Sequence, residues 1–214
     1  MCMSAAAPPV TLSPAADGAP VEATGRERIL DIAAASFLIH GYEGTSLRRI
    51  ADSVGMKAGS LYYHFASKDE LLTHILRRGI DVMNEAFDRA ESHLSVDGAA
   101  LVTGHVRAHL AALYENGPYT AVHVTAFRTA PETVRREIVI IRDAYEARWT
   151  TLLASLQDAG ALGADVDLHL ARLALFAVMN SSVEWFDQSR GNLDEFAAVI
   201  TRQFWNGVAA GTPS

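Results

Sequence analysis

From Arg26 onward, apolar residues recur at spacings of three and four, and Gly or Pro falls mostly where a helix has to stop. No stretch alternates as a strand does. The pattern predicts an all-α chain of about nine helices. The first covers about Gly25 to His40, with Ile29, Ala33 and Phe37 on one stripe and Gly41 as a left-handed stop. Thr45 or Ser46 caps a short helix through Ser53 that buries Leu47, Ile50, Ala51 and Val54, and Gly55 ends it. A second short helix covers Ala58 to His64. Ser67 caps a long one from Lys68 to about His93, with Asp69 and Glu70 near its positive end. Five more follow, at about 97–115, 118–128, 131–159, 165–188 and 192–210, with Pro118 and Pro131 in first turns and Gly117, Gly160, Gly163 and Gly191 in the breaks.

Two segments depart from this even pattern. Residues 1–22 hold Pro8, Pro9, Pro14 and Pro20 without an apolar period, which predicts a disordered tail. The stretch from Leu168 to Met179 is apolar nearly all round, and Leu193, Phe196, Ile200, Phe204 and Val208 stripe the last helix. A helix apolar on every side needs enclosure, so a partner subunit over the last two helices is the expected cover.

The segment with the most chemical content is 45–72. Two short helices with Gly55 in the turn, the second offering Lys57, Ser60, Tyr62, Tyr63 and His64, are what a helix-turn-helix needs to seat one helix in a major groove. Ala58, Gly59 and Ser60 keep the leading end slim, so that the backbone can approach a duplex and the helix start can meet a phosphate. Tyr63 and His64 can donate to phosphate or pack on a thymine methyl, and Lys68 opens the next helix beside the same backbone. Arg48 is placed to reach a guanine edge. Leu61 and Phe65, four apart, should face inward.

Leu47-x-x-Ile50-Ala51-x-x-Val54-Gly55, followed by Gly59-Ser60-Leu61-Tyr62-Tyr63-His64-Phe65-x-x-Lys68-x-x-Leu71-Leu72, resembles the N-terminal signature of the TetR family of bacterial transcriptional regulators. The resemblance covers about Arg26 to Leu72. It implies a DNA-binding domain over 23–72 and a ligand-binding and dimerisation domain over 73–214, in a homodimer joined by its last two helices and released from operator DNA by a small molecule. It also implies that Thr45 and Lys68 hold phosphates, while Arg48, Lys57, Gly59, Ser60, Tyr62, Tyr63 and His64 lie at the groove. Met56-Lys57-Ala58 replaces the small polar residues often found in the family, which leaves base preference open. Repression is expected by analogy.

A switch of this kind needs a pocket, apolar with a few convergent polar groups. The candidates on helices that line it in similar proteins are Phe87, His109, Tyr119, His123, Phe127, Tyr145, Trp149, Phe176, Asn180 and Trp185. His109 and Asn180 stand out because a polar group facing a core needs a partner. Few acids accompany the aromatics, which favours an apolar or amphipathic effector of fatty-acyl, steroid-like or aromatic kind. The long helix after Ser67 would link that pocket to the headpiece and set the spacing of two recognition helices, about 34 Å apart.

His105 and His109, four apart, open a rival reading as a metal-dependent enzyme. Zinc hydrolysis also needs a third ligand and a general base, as in His-Glu-x-x-His, whereas Val106, Arg107 and Ala108 lie between these two. A cation beside the pair disfavours a metal. No nucleophile elbow, phosphate loop or dinucleotide fingerprint is present, so neither cofactor nor catalysis is expected. A structural helical adaptor is the remaining alternative.

Net charge at first argues against DNA, because 18 Lys and Arg oppose 25 Asp and Glu to leave −7 over 214 residues. Its distribution removes the objection: residues 26–78 carry eight basic and six acidic side chains, and 79–214 carry ten and seventeen. The acidity lies outside the headpiece. With one cysteine, Cys2, and no apolar run of about 18 residues, the expected setting is the reducing cytoplasm, away from any membrane.

Overall fold

A computed structural model describes residues 25–92 and 97–209; the expected tail over 1–22, with Cys2, lies outside them, as do His93 and Ala210. Among the described residues the helices are α1 (Gly25–His40), α2 (Leu47–Val54), α3 (Ala58–His64), α4 (Lys68–Glu91), α5 (Gly98–Tyr114), α6 (Tyr119–Ala126), α7 (Glu132–Asp158), α8 (Leu168–Ser181) and α9 (Leu193–Val208). Single 3-10 turns at Phe127–Thr129 and Ser182–Glu184 follow α6 and α8. The one β feature among the described residues is an isolated bridge between Leu162 and Ala209. No described helix is long and apolar enough to cross a membrane.

The described residues form two compact units. One comprises 25–84 and 112–144. Its centre is built from Ile29, Ala33 and Phe37 of α1, Ile50 and Ala51 of α2, Leu61 of α3, Phe65, and Leu71, Leu72, Ile75 and Leu76 of α4, all buried. Ser46, rather than Thr45, caps α2 by accepting a hydrogen bond from the Arg49 amide at 3.2 Å. Gly55 ends it at φ 79°, where its amide meets the carbonyls of Ala51 and Asp52. A Cβ there would meet nothing within 4 Å, so backbone conformation alone demands glycine. At Gly79 space demands it instead. A Cβ would lie 2.7 Å from the Tyr119 carbonyl oxygen, and the Thr120 hydroxyl donates to the Gly79 carbonyl at 3.2 Å, so α4 and α6 pack backbone to backbone.

The other unit comprises 85–92, 97–111 and 145–209. Val102, Val106 and Leu110 of α5, Trp149 and Leu153 of α7, Leu175 and Met179 of α8, and Ala197 and Ile200 of α9 fill its interior. Arg172 of α8 is buried there and paired with Glu146 of α7. The eighth helix ends at Ser181, well short of the expected Gln188. The Asp187 carboxylate accepts from the amide and hydroxyl of Ser189, which favours a turn, and Phe186 leaves the helical path to stack on Phe196 of α9 at 4.4 Å. Trp185 leaves with it. That ring, expected among the pocket-lining aromatics, is 57 % exposed and stands edge-on to Phe196.

Candidate nucleic-acid interface and buried ring cluster

In the first unit α3 is anchored from below. Leu61 and Phe65 are fully buried, the Arg26 guanidinium lies 4.6 Å over the Phe65 ring, and His74 meets the same ring edge-on. Arg26 also donates to His74 Nε2 at 2.9 Å, and burial with that neighbouring cation holds the His74 imidazole below its ordinary pKa. The opposite face of α3 is bare. Tyr62 is 56 % and Tyr63 89 % exposed, Lys57, Gly59 and Ser60 are exposed beside them, and His64 is half-buried with its ring edge-on to Tyr63. Arg48 and Lys57 border one shallow cleft with Asp52, Gly55, Met56 and Ala58, and neither makes an ion pair among the described residues.

Thr45 and Lys68 are placed differently. Thr45 is 2 % exposed, and its hydroxyl has the carbonyls of Gly41 at 2.9 Å and Ser36 at 3.2 Å as acceptors. A hydroxyl has one proton, and here it faces the interior. Lys68 Nζ donates to the carbonyls of Tyr42 at 2.9 Å and Thr45 at 3.2 Å and lies 3.8 Å from the Tyr42 ring centroid. One of its three donors remains available. Tyr42, which no sequence pattern singles out, completes the knot by donating its hydroxyl to Asp69; burial and that carboxylate hold the phenol well above its usual range.

Six of the ten candidate pocket residues come together in the second unit: Phe87, His109, Tyr145, Trp149, Phe176 and Asn180. Ring centroids in this cluster lie between 4.5 and 6.3 Å apart, with His105 as a further member. His109 makes both of its hydrogen bonds inside the cluster, with Tyr145 Oη at 2.9 Å and Asn180 Oδ1 at 3.0 Å. Since Oδ1 can only accept, Nε2 carries the proton and Nδ1 accepts from the tyrosine. Burial holds the His109 imidazole at about 4, against an upward push from Asn180. The ring is therefore neutral and its tautomer fixed. With both nitrogens engaged, the His105/His109 pair offers no pair of lone pairs to a metal.

Three further candidates belong to the first unit. Tyr119 donates to Asp31 at 2.5 Å, tying α6 to α1, and burial with that carboxylate raises its phenol. His123 stacks on Phe127 at 5.7 Å, and the Arg142 guanidinium lies 4.8 Å over Phe127.

Comparison with known proteins bears on both units. Residues 29–75 match the family model described as bacterial regulatory proteins, tetR family, and residues 99–208, just over half the chain, match the tetracyclin repressor-like C-terminal domain. The chain belongs to the TetR family. It is a DNA-binding transcription regulator, not an enzyme. Among relatives of this TetR-family chain, the transcriptional repressor KstR2 of Mycolicibacterium smegmatis is 26% identical over 167 residues, 77% of this chain and 80% of that protein. The KstR2 repressor of Mycobacterium tuberculosis is 46% identical over 56 residues, 26% of this chain and 28% of that protein. The solved structure of the M. tuberculosis regulator, described as a ketosteroid transcriptional regulator, superposes with a TM-score of 0.73 at 24% identity over 86% of this chain and 94% of the other. PfmR of Thermus thermophilus, a TetR-family regulator, superposes with a TM-score of 0.74 at 26% identity over 84% of this chain and 97% of its own.

Proposed function

We propose that this TetR-family chain is a cytoplasmic repressor that grips operator DNA as a homodimer and lets go when a small apolar or amphipathic effector binds its second unit. The observation that carries the DNA-binding half is the division of α3. Two buried apolar side chains hold the helix, while two tyrosines and an adjacent lysine face solvent, an arrangement that packing alone would not favour. In this reading Arg48, Lys57, Gly59, Ser60, Tyr62, Tyr63 and His64 meet the groove and its phosphates. Lys68 offers its third donor to a phosphate. Thr45 supports the turn from inside rather than touching DNA.

Dimerisation is supported by the apolar side chains that α8 and α9 leave exposed, Leu170, Leu173, Val178 and Val199, with Trp185 beyond α8. The ring cluster around a neutral His109 supports an apolar or amphipathic effector, and the names of the KstR2 relatives are consistent with a repressor answering to such a ligand. Release needs the effector to prefer the non-binding state about a hundredfold, or ~2.7 kcal/mol. The reading is tested by fluorescence anisotropy on duplex DNA from upstream of the protein's own gene. Binding that weakens with salt and is lost in Lys57→Glu is expected; salt-insensitive binding, or binding untouched by Lys57→Glu, refutes it.

A further inference from the structure

With seven residues, α3 is the shortest α-helix among the described residues, and Lys57 at its start makes no side-chain capping bond. A helix of that length has no stability of its own, so what grips it sets its pose. Leu61 holds it from inside at mid-length, and Phe65 holds it at its C-cap. One contact at the middle fixes depth. The contact at the end fixes the angle.

The Phe65 ring is clamped by side chains from two other helices. The Arg26 guanidinium of α1 lies 4.6 Å from its centroid, and the His74 imidazole of α4 stands edge-on to it at 5.6 Å. Arg26 Nη2 closes the clamp by donating to His74 Nε2 at 2.9 Å. Arginine can only donate, so His74 must present a lone pair there and carry its proton on Nδ1. The turn that follows is pinned as well. The Ala66 amide donates to the Glu70 carboxylate at 2.7 Å, and the Ser67 hydroxyl accepts from the Glu70 amide at 3.0 Å.

We infer that Arg26 is a positioning residue for operator selectivity: through Phe65 and His74 it sets the angle of α3 on the duplex, without itself touching a base or a phosphate. This rests on the reading of α3 as the recognition helix. Seven residues at about 1.5 Å each make a lever of about 10 Å, so a tilt of ~10° pivoting at Phe65 carries the Lys57 end by ~2 Å. A hydrogen bond to a base edge does not survive such a shift, because its length is confined to a window of about 0.5 Å. A lysine on a phosphate does survive it, being a point charge on a flexible stem. Loss of Arg26 therefore costs selectivity and spares binding to unrelated sequence.

The test uses the full chain and two duplexes: one that the wild type selects from a random-sequence pool, and a shuffled one of the same length and composition. Both affinities are measured across a range of salt, well below the unfolding midpoint. Arg26→Met keeps a long side chain but removes the charge and the donors. It should lose about tenfold or more on the selected duplex, the worth of one base contact, with affinity and salt slope unchanged on the shuffled one. His74→Leu, which removes the acceptor, should lose as much, and the double variant no more than either single, since both break one clamp. Arg26→Lys, which keeps a cation and a donor, and His74→Gln, which keeps an acceptor, should each recover most of the selectivity. An unchanged ratio of selected to shuffled affinity in Arg26→Met and His74→Leu, or additive losses in the double variant, would overturn the inference. Equal losses on both duplexes with a lower salt slope in Arg26→Met would also overturn it, by making Arg26 a phosphate contact. Should Arg26→Met not fold, His74→Leu against His74→Gln decides, and equal selectivity in those two overturns the clamp. If the wild type selects no sequence at all, the recognition-helix reading falls and this inference falls with it.

Discussion

Replacing His109 by glutamine tests the buried relay directly, because it removes a titrating group while leaving an amide able to bond Tyr145 and Asn180. In the folded chain His109 protonates only at about 4, whereas an unfolded histidine does so near its ordinary value of 6.5. Between those values the unfolded chain holds a proton that the folded chain refuses, so stability is full above pH 6.5 and falls as pH drops toward 4. That gap corresponds to about 3 kcal/mol once both states are protonated, of which about 2 kcal/mol is lost by pH 5. The pKa values of His105 and His74 are also lowered, but both residues are present in wild type and variant and cancel in the difference. Urea unfolding followed by circular dichroism at pH 7 and pH 5 should show the wild type losing about 2 kcal/mol more than His109→Gln. Equal losses in the two proteins, or a His109 resonance titrating near 6.5, would falsify the closed neutral relay.

Tyr63→Ala should leave stability within about 0.5 kcal/mol, because the ring is nearly all in solvent, yet weaken operator binding about fivefold or more in an anisotropy titration. Lys57→Ala should lower the slope of log affinity against log salt by about one per subunit; an unchanged slope would remove Lys57 from the phosphate contacts. Gly79→Ala should cost about 1 to 3 kcal/mol in chemical unfolding, since its methyl group would meet the Tyr119 backbone, which cannot swing aside as a side chain can. Leu173→Glu, which places a charge on the exposed apolar face of α8, should shift light scattering from dimer to monomer without loss of helix content; a dimer that persists sends the interface elsewhere.

The headpiece was legible because its determinants are local. The expected bounds of α1 and α3 coincide with those observed, and the end of α2 differs by one residue, since Gly41, Gly55 and the Leu61/Phe65 spacing act within a turn or two of the positions they govern. The end of α8 was not, because what stops it is the Phe186–Phe196 stack together with a turn at Asp187, and helical periodicity is blind to both. Among the site residues, His109 and Asn180 could be singled out as polar groups facing a core, but not as partners of one another across 71 positions. Tyr119 shows what a pattern of aromatics leaves out. An aromatic on a pocket-lining helix is also a tyrosine whose hydroxyl needs an acceptor, and Asp31, 88 residues away, supplies it in the first unit. Tyr42 gave no signal at all, because a tyrosine in a turn follows no period.

The knot around Tyr42 has a thermodynamic side as well. Lys68 and Asp69 are the first two residues of α4, and both are bonded to the turn that precedes α2, through the Tyr42 carbonyl, the Thr45 carbonyl and the Tyr42 hydroxyl. Helix ends ordinarily fray one residue at a time, with amide protection climbing gradually over the first turn. Here the first turn of α4 cannot loosen without freeing the α1–α2 connection, and that connection cannot loosen without exposing two carbonyls and a phenol. The two segments should open as one cooperative block and share a single hydrogen-exchange rate. The helix-turn-helix is thereby denied a partly melted state, and off DNA it is either whole or lost.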